Sequence, residues 1–491
     1  MKKPLLAFAA KSPASLEMAG EKRALALFHE TAQKVPAYKD FLAKEKVDHK
    51  KIKTIADFKA YVPIVDKKNY LSQYPLKDLC FEGDLFSNHI VSVSSGSSGV
   101  PTFWPRGTYQ DIEGSEMFGE IYDNSFAMQT KKTLAVVCFS MGTWIAGTFT
   151  TTATLLYADK GRPVNVVTPG LEREETVKAI KNLAGNYEQI VLIGYPPFIK
   201  DMLDEGRRVG INWRHLKVRL LLASESFSEE WRDYVLRELG SKDPFYDTSS
   251  IYGSADAGIF GVETPLSILI RRIYNQRSRV RQKLFGTPIL PSFVQYDPRR
   301  RYFEKVQDNL VFTARSGVPL IRYDIQDAGG IVSFQEAIEP IHDRLYELAQ
   351  KYNVNIPKLH QPFLYVHGRK LFSTTIYGVN IYPENIKAAL IDRRVRKWTT
   401  GLFTMSTKNY SDMDQYFEIN VELRPGFIAK SQHQLTLEAV ILEKLVKLNA
   451  EFHKLHEVIG VKVRPQVHLV SFGDSTHFPH GAKHKWVEKE T

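Results

Sequence analysis

The chain has 491 residues, 43% of them hydrophobic and 25% charged, which is the composition of a folded globular protein large enough for more than one core. Only two cysteines, Cys80 and Cys138, are present, so the composition argues against a disulfide framework or a cysteine-based zinc site and points to a reducing, cytoplasmic setting. The net charge of +11 favours an anionic partner, but no nucleic-acid motif accompanies it, and nucleic acid is not expected.

Residues 1–10 carry two lysines and a short apolar stretch that Lys11 ends too early for an export signal. Helical spacing through Leu25, Leu27 and Phe28 breaks at Pro36, and a second short helix is expected to end near Leu71. Residues 133–158 are uncharged and long enough to cross a bilayer. Ser140, Gly142, Thr143, Gly147 and the threonines at 150, 151, 152 and 154 interrupt them, which predicts a buried strand, a glycine turn and a helix instead of a span. Short apolar runs at 134–139, 164–167, 190–193 and 218–222 alternate with amphipathic stretches. That rhythm predicts an α/β fold, a large N-terminal unit with mainly parallel sheets covered by helices. Ser228 before Glu229 and Glu230 marks a helix start.

Basic residues cluster at Arg271, Arg272, Arg277, Arg279, Arg281 and Lys283, and again at Arg299, Arg300 and Arg301. Two readings stay open: a solvated basic face, or a surface for a nucleotide or an acidic carrier protein. A helix-like stretch at 341–352 lies in an atypical connector, residues 328–366. Beyond a boundary at 368–369, strand-like 416–423, helix-like 435–455 and strand-like 467–472 predict a small α+β C-terminal unit, so the division is 1–367 and 368–491.

The segment richest in chemistry is Ser94, Ser95, Gly96, Ser97, Ser98, Gly99, Val100, Pro101 and Thr102, after the apolar run 90–93. Two glycines among small hydroxyl residues expose backbone N–H groups and O–H donors that converge on a phosphate without a bulky side chain in the way. The Gly-Lys-Ser/Thr ending of the ordinary nucleotide P-loop is missing.

This loop resembles the phosphate loop S-S-G-T-T-G-x-P-T of the adenylate-forming enzymes, in their phenylacetate–CoA ligase branch. Four further segments follow in that family's order. LLASESFSEEWR at 221–232 is similar to the stretch beside the adenine, and IYGSAD at 251–256 to I-Y-G-x-S-E. NLVFTARSGVPLIRYDIQD at 309–327 is similar to E-L-V-F-T…P-L-I-R-Y-R-T-x-D, and 368–386 to the G-R…G-V-N-x-F-P hinge segment. The resemblance implies a mobile C-terminal lid and ATP-dependent activation of a carboxylic acid to an acyl-adenylate. Pyrophosphate leaves, and the acyl group passes to a thiol, CoA first. An amine or a carrier-protein thiol remains an alternative acceptor, and a non-catalytic nucleotide-binding relative an alternative class. ATP, Mg²⁺ and CoA are the implied cofactors, and a homodimer is compatible with the family.

The same resemblance implies roles. Ser94–Gly99 would hold the β,γ-phosphates; Ser224, Glu225, Tyr252 and Gly253 would border the adenine; Asp256 would hold Mg²⁺; Asp327 would accept from the ribose hydroxyls. Arg369 would reach the phosphates from the hinge, and Lys483, with Lys485 as second choice, would bridge carboxylate and α-phosphate. Phe139, Met141, Gly142 and Trp144 would line the acid pocket. Several positions depart from the family: Asp256 stands where it has a glutamate, Leu371 and Phe372 replace paired aspartates, the first of which serves as the pivot of the lid, and Tyr377 replaces an arginine.

Overall fold

The computed structural model describes residues 12–94, 102–287, 290–369, 374–474, 476–478 and 486–487. An 11-stranded sheet forms its centre. Across it run Arg301–Val306, Asn309–Ala314, Leu320–Val332, Phe363–Arg369, Ser292–Gln295, Gly258–Val262, Thr248–Ser254, Val218–Ala223, Gln189–Gly194, Thr133–Cys138 and Val164–Val167, each hydrogen-bonded to the next. From Thr248–Ser254 to Val164–Val167 the neighbours are parallel, and here the expected runs at 134–139, 164–167, 190–193 and 218–222 form strands. All six residues of Thr133–Cys138 and of Gln189–Gly194 are buried, as a parallel strand covered on both faces requires. The remaining pairs are antiparallel, so the sheet is mixed.

The uncharged stretch 133–158 divides into the strand Thr133–Cys138 and the helix Ile145–Ala158. Its threonines satisfy their hydroxyls inside the helix: Thr151 donates to the Gly147 carbonyl at 2.8 Å, Thr152 to Thr148 at 2.9 Å and Thr154 to Thr150 at 2.7 Å. Among the described residues no helix is long and apolar enough to cross a membrane. The expected break at Pro36 falls between the helices Pro13–Lys34 and Pro36–Lys44. The helix expected to end near Leu71 is replaced by Ile55–Tyr61 and a 3-10 turn, Leu71–Gln73. Ser228 caps Glu229–Glu238 by accepting from the Trp231 amide.

After Arg369 the chain forms a hairpin, Thr374–Ile376 with Val379–Ile381, and a 3-stranded sheet of Thr399–Asn409, Gln415–Leu423 and Pro465–Val470. The single helix expected over 435–455 is two, Ser431–Leu448 and Ala450–Ile459. Asn449 divides them: its Oδ1 caps the second helix at the Phe452 amide, and its Nδ2 donates to the Asn380 carbonyl at 2.9 Å. One apolar core runs from the parallel strands into this small sheet unit.

Candidate active site

Ligands of open α/β sheets sit beyond the carboxyl ends of the parallel strands. A cleft of about 1000 Å³ lies there, walled by residues that follow the strands (Ser140, Tyr195, Ser224) and closed from the other side by the hairpin at 374–381. Ser94, Glu225, Tyr252, Gly253, Asp256 and Asp327 line it together. Sequence positions more than 230 residues apart therefore meet in one place.

The firmest contact is between two of these. The Tyr252 hydroxyl donates to Asp327 Oδ2 at 2.7 Å. Asp327 lies in the long strand Leu320–Val332, just after Gln326 with φ +65° and just before a register shift at Ala328/Gly329. The irregularity turns an acid out of the ladder and into the cleft. Gly329 and Gly330 are needed beside it, because a Cβ there would stand 2.2 Å from the Tyr365 carbonyl and 2.5 Å from its hydroxyl. Asp327 is opposite Arg369 in register.

Asp256 sits in the turn between Thr248–Ser254 and Gly258–Val262. Its amide takes the Ser254 hydroxyl oxygen as acceptor at 3.2 Å. The residue is 4% exposed, and its Oδ2 has no hydrogen-bond partner among the described residues. A buried carboxylate oxygen without a donor costs free energy unless a cation or a ligand's donor reaches it. Among the described residues no group of three or more His, Cys, Asp or Glu could hold a metal. The orphaned Asp256 oxygen fits a Mg²⁺, which this carboxylate would hold. Arg301 pins the turn by donating to the Ala257 carbonyl at 2.7 Å while paired with Glu113 at 2.7 Å.

Ser94 ends one strand of an antiparallel pair and is opposite Thr102. The Trp104 indole donates to the Ser94 hydroxyl at 2.9 Å, and the Val93 amide donates to the Thr143 carbonyl at 2.9 Å, which ties the pair to the 140–144 turn. Ser95, Gly96, Ser97, Ser98 and Gly99 lie outside the described residues, as do Leu371, Phe372, Lys483 and Lys485. The tail resumes at Trp486, whose carbonyl accepts from the Met405 amide at 2.9 Å, and Val487 lines the cleft.

At the other wall, Ser224 holds φ +73°, an uncommon conformation for a residue with a side chain. It delivers Glu225 to the hairpin turn. Glu225 Oε1 accepts from the Gly378 amide and Oε2 accepts from the Gln415 side chain at 3.1 Å. Gly378 has φ +78° and no room for a Cβ, which would come within 2.7 Å of the Tyr195 ring. Burial, partly offset by the Ser140 hydroxyl, pushes the Tyr195 phenol up to about 12, so it faces the cleft as a neutral donor.

Of the expected acid-pocket residues, Trp144 lines the cleft. Phe139 stands behind Tyr195 in the core, rings 4.9 Å apart, Met141 lies under Gly147 and Gly170, and Gly142 is exposed; none of the three lines the cleft. Tyr195 and Lys67 were not singled out from the sequence. The position directly after a buried parallel strand was the available signal for Tyr195.

The basic runs require a correction. Arg271 and Arg272 pair with Glu229, Arg299 with Asp297, Arg300 with Glu120 and Arg301 with Glu113. Four of these guanidiniums are 13% exposed or less, so Arg271 and the run 299–301 are internal structure, whereas Arg277, Arg279 and Lys283 of the first run are exposed. Lys283 does reach the cleft wall.

No family model matches the sequence, and no curated protein matches it. Among solved structures, 2-hydroxyisobutyryl-CoA ligase with 2-HIB-AMP and CoA, in the thioesterification state, superposes with a TM-score of 0.64 at 16% identity, over 98% of this chain and 90% of that one. An open conformation of the same ligase gives 0.56 at 16% identity, over 98% and 93%. The chain therefore shares the α/β fold of that ligase, with a large mixed sheet covered by helices and a small C-terminal sheet.

Proposed function

We propose that the chain is an AMP-forming ligase of the phenylacetate–CoA ligase kind, which joins a carboxylic acid to ATP as an acyl-adenylate and then passes the acyl group to a thiol, CoA first. The observation that carries this reading is the Tyr252–Asp327 hydrogen bond in a cleft that Ser94 and the lone buried oxygen of Asp256 share.

ATP supplies the α-phosphate that the acid attacks and the pyrophosphate that leaves. The residues act on that exchange by position and charge. Asp327 accepts from the ribose hydroxyls, with Tyr252 fixing its carboxylate and offering a ring face to the base. Ser224, Glu225 and Gly253 border the adenine. The loop beginning at Ser94 donates to the outer phosphates. Asp256 would hold Mg²⁺, which would supply positive charge to the phosphates. Arg369 and the tail lysine Lys483, with Lys485 as its alternative, bring positive charge to the α-phosphate, where it is most needed. Trp144 and Tyr195 shape the end that takes the acid. Residues 1–367 form the adenylation unit and 368–491 the lid.

Acid-dependent exchange of labelled pyrophosphate into ATP tests the reading. Exchange is expected with at least one member of a broad acid library, and it should fall by at least about 100-fold in Lys483→Ala, with ATP binding retained. No exchange with any acid refutes the proposal. An unchanged rate in Lys483→Ala moves that role to Lys485.

A further inference from the structure

Four charged side chains from two parts of the chain interlock beside the cleft. Lys200 and Asp201 come from the helix Pro196–Arg208, and Asp414 and Lys462 from the small sheet unit. Asp201 Oδ1 accepts from the Lys462 ammonium, which also reaches Asp414 Oδ2 at 3.4 Å; Asp414 Oδ1 in turn accepts from Lys200. The other oxygen of Asp201 accepts from the Tyr377 hydroxyl at 3.0 Å. The side chains of Asp201 and Lys200 are 1% and 4% exposed, and Tyr377 is 1% exposed. The partners are 176 to 261 residues apart in sequence.

Acid and base alternate across the junction, and this makes the arrangement selective. Lys200 also pairs with Asp204 of its own helix at 2.7 Å, so a different docked orientation that still covered both residues would leave the buried Asp201 unpaired, at several kcal/mol. Undocking costs less, because water replaces the partners. The network therefore admits one docked orientation and an open state, with little between. Tyr377 belongs to the turn that Glu225 holds through the Gly378 amide, so the same orientation sets the hairpin wall of the cleft.

We propose that Asp201 is a positioning residue: with Lys462, Tyr377, Asp414 and Lys200 it forms a polar lock that fixes the small sheet unit, and with it the 377–378 turn, over the cleft.

The test measures orientation and activity separately. Cys80 and Cys138 are both buried, so spin labels go to cysteines introduced at the exposed Lys181 and Lys447. The parent should give one narrow distance distribution. Asp201→Ala and Lys462→Ala should broaden it or add a second distance, and Asp201→Glu should restore it in part. Lys462 is 34% exposed and carries the test should Asp201→Ala fail to fold. Distributions as narrow as the parent's in both variants overturn the proposal. The kinetic arm rests on the ligase reading: kcat for overall ligation should fall about 100-fold in Lys462→Ala, with KM for ATP held within about twofold. Unchanged kcat means that the lock does not position the reaction. Absence of activity in the parent sinks the ligase reading while the distance result still decides the lock.

Discussion

Tyr252 and Asp327 stand 75 residues apart in sequence and 2.7 Å apart in space, and each constrains the other. The phenol holds the Asp327 carboxylate in one orientation at the cleft wall. Tyr252→Phe removes that donor without changing the ring, at about 1.5–3 kcal/mol for a hydrogen bond to a charged group. KM for ATP should therefore rise at least about tenfold, read from pyrophosphate exchange at limiting ATP, with little change in melting temperature. Asp256 presents the opposite case, a buried oxygen with no partner among the described residues. Asp256→Asn should weaken the dependence of exchange on Mg²⁺ concentration, moving half-saturation upward by roughly tenfold or more, because an amide oxygen is a poorer ligand for a hard cation than a carboxylate. The variant should melt at or above the parent's temperature, since it removes an unpaired buried charge. A lower melting temperature with unchanged Mg²⁺ dependence would make Asp256 a structural acid.

Elements differed in how far the sequence revealed them, and the reason is where their partners lie. The parallel strands read clearly because both faces are covered and the runs are continuously apolar. The antiparallel half was hidden. Its longest strand, Leu320–Val332, contains Arg322, Asp324, Gln326 and Asp327, and bulges upset its alternation. Arg322 is 7% exposed only because Glu304 and the carbonyls of Lys59 and Val62 receive it, and no local pattern announces such partners. Arg271, Arg300 and Arg301 misled for the same reason: they find acceptors 42, 180 and 188 residues away. The cleft was more legible than the sheet, because glycine and hydroxyl chemistry at Ser94 and the tyrosine and acids at 252, 256 and 327 are local signals. The hairpin turn can be tested at Gly378. Alanine there meets a strained φ and the Tyr195 ring at once, so Gly378→Ala should displace the turn and lose the Glu225 hydrogen bond. The expected result is loss of ligation of at least about tenfold, with the far-ultraviolet circular dichroism unchanged.

For the whole molecule, the sheet depends on buried ions, and this sets its response to acid. Glu229 is 3% exposed and meets Arg232 at 3.1 Å, Arg272 at 3.0 Å and Arg271. Burial alone would raise its carboxyl, but the guanidiniums of Arg232, Arg271 and Arg272 outweigh burial and hold it down to about 2, from an ordinary 4.5. The folded state thus binds this proton less readily than the unfolded chain does. Stability from the group is complete above about pH 4.5 and is lost as the pH falls toward 2. The melting temperature of the parent should decline steeply on acidification between pH 5 and 3. Glu229→Gln leaves three arginines short of their shared acid, a loss of about 3–5 kcal/mol at neutral pH, or roughly 5 °C for a sheet unit of this size. Its melting temperature should also fall less than the parent's between pH 5 and 3, because the proton-linked part has been removed. A variant with the parent's slope and a merely lower curve would place the acid sensitivity elsewhere among the buried pairs.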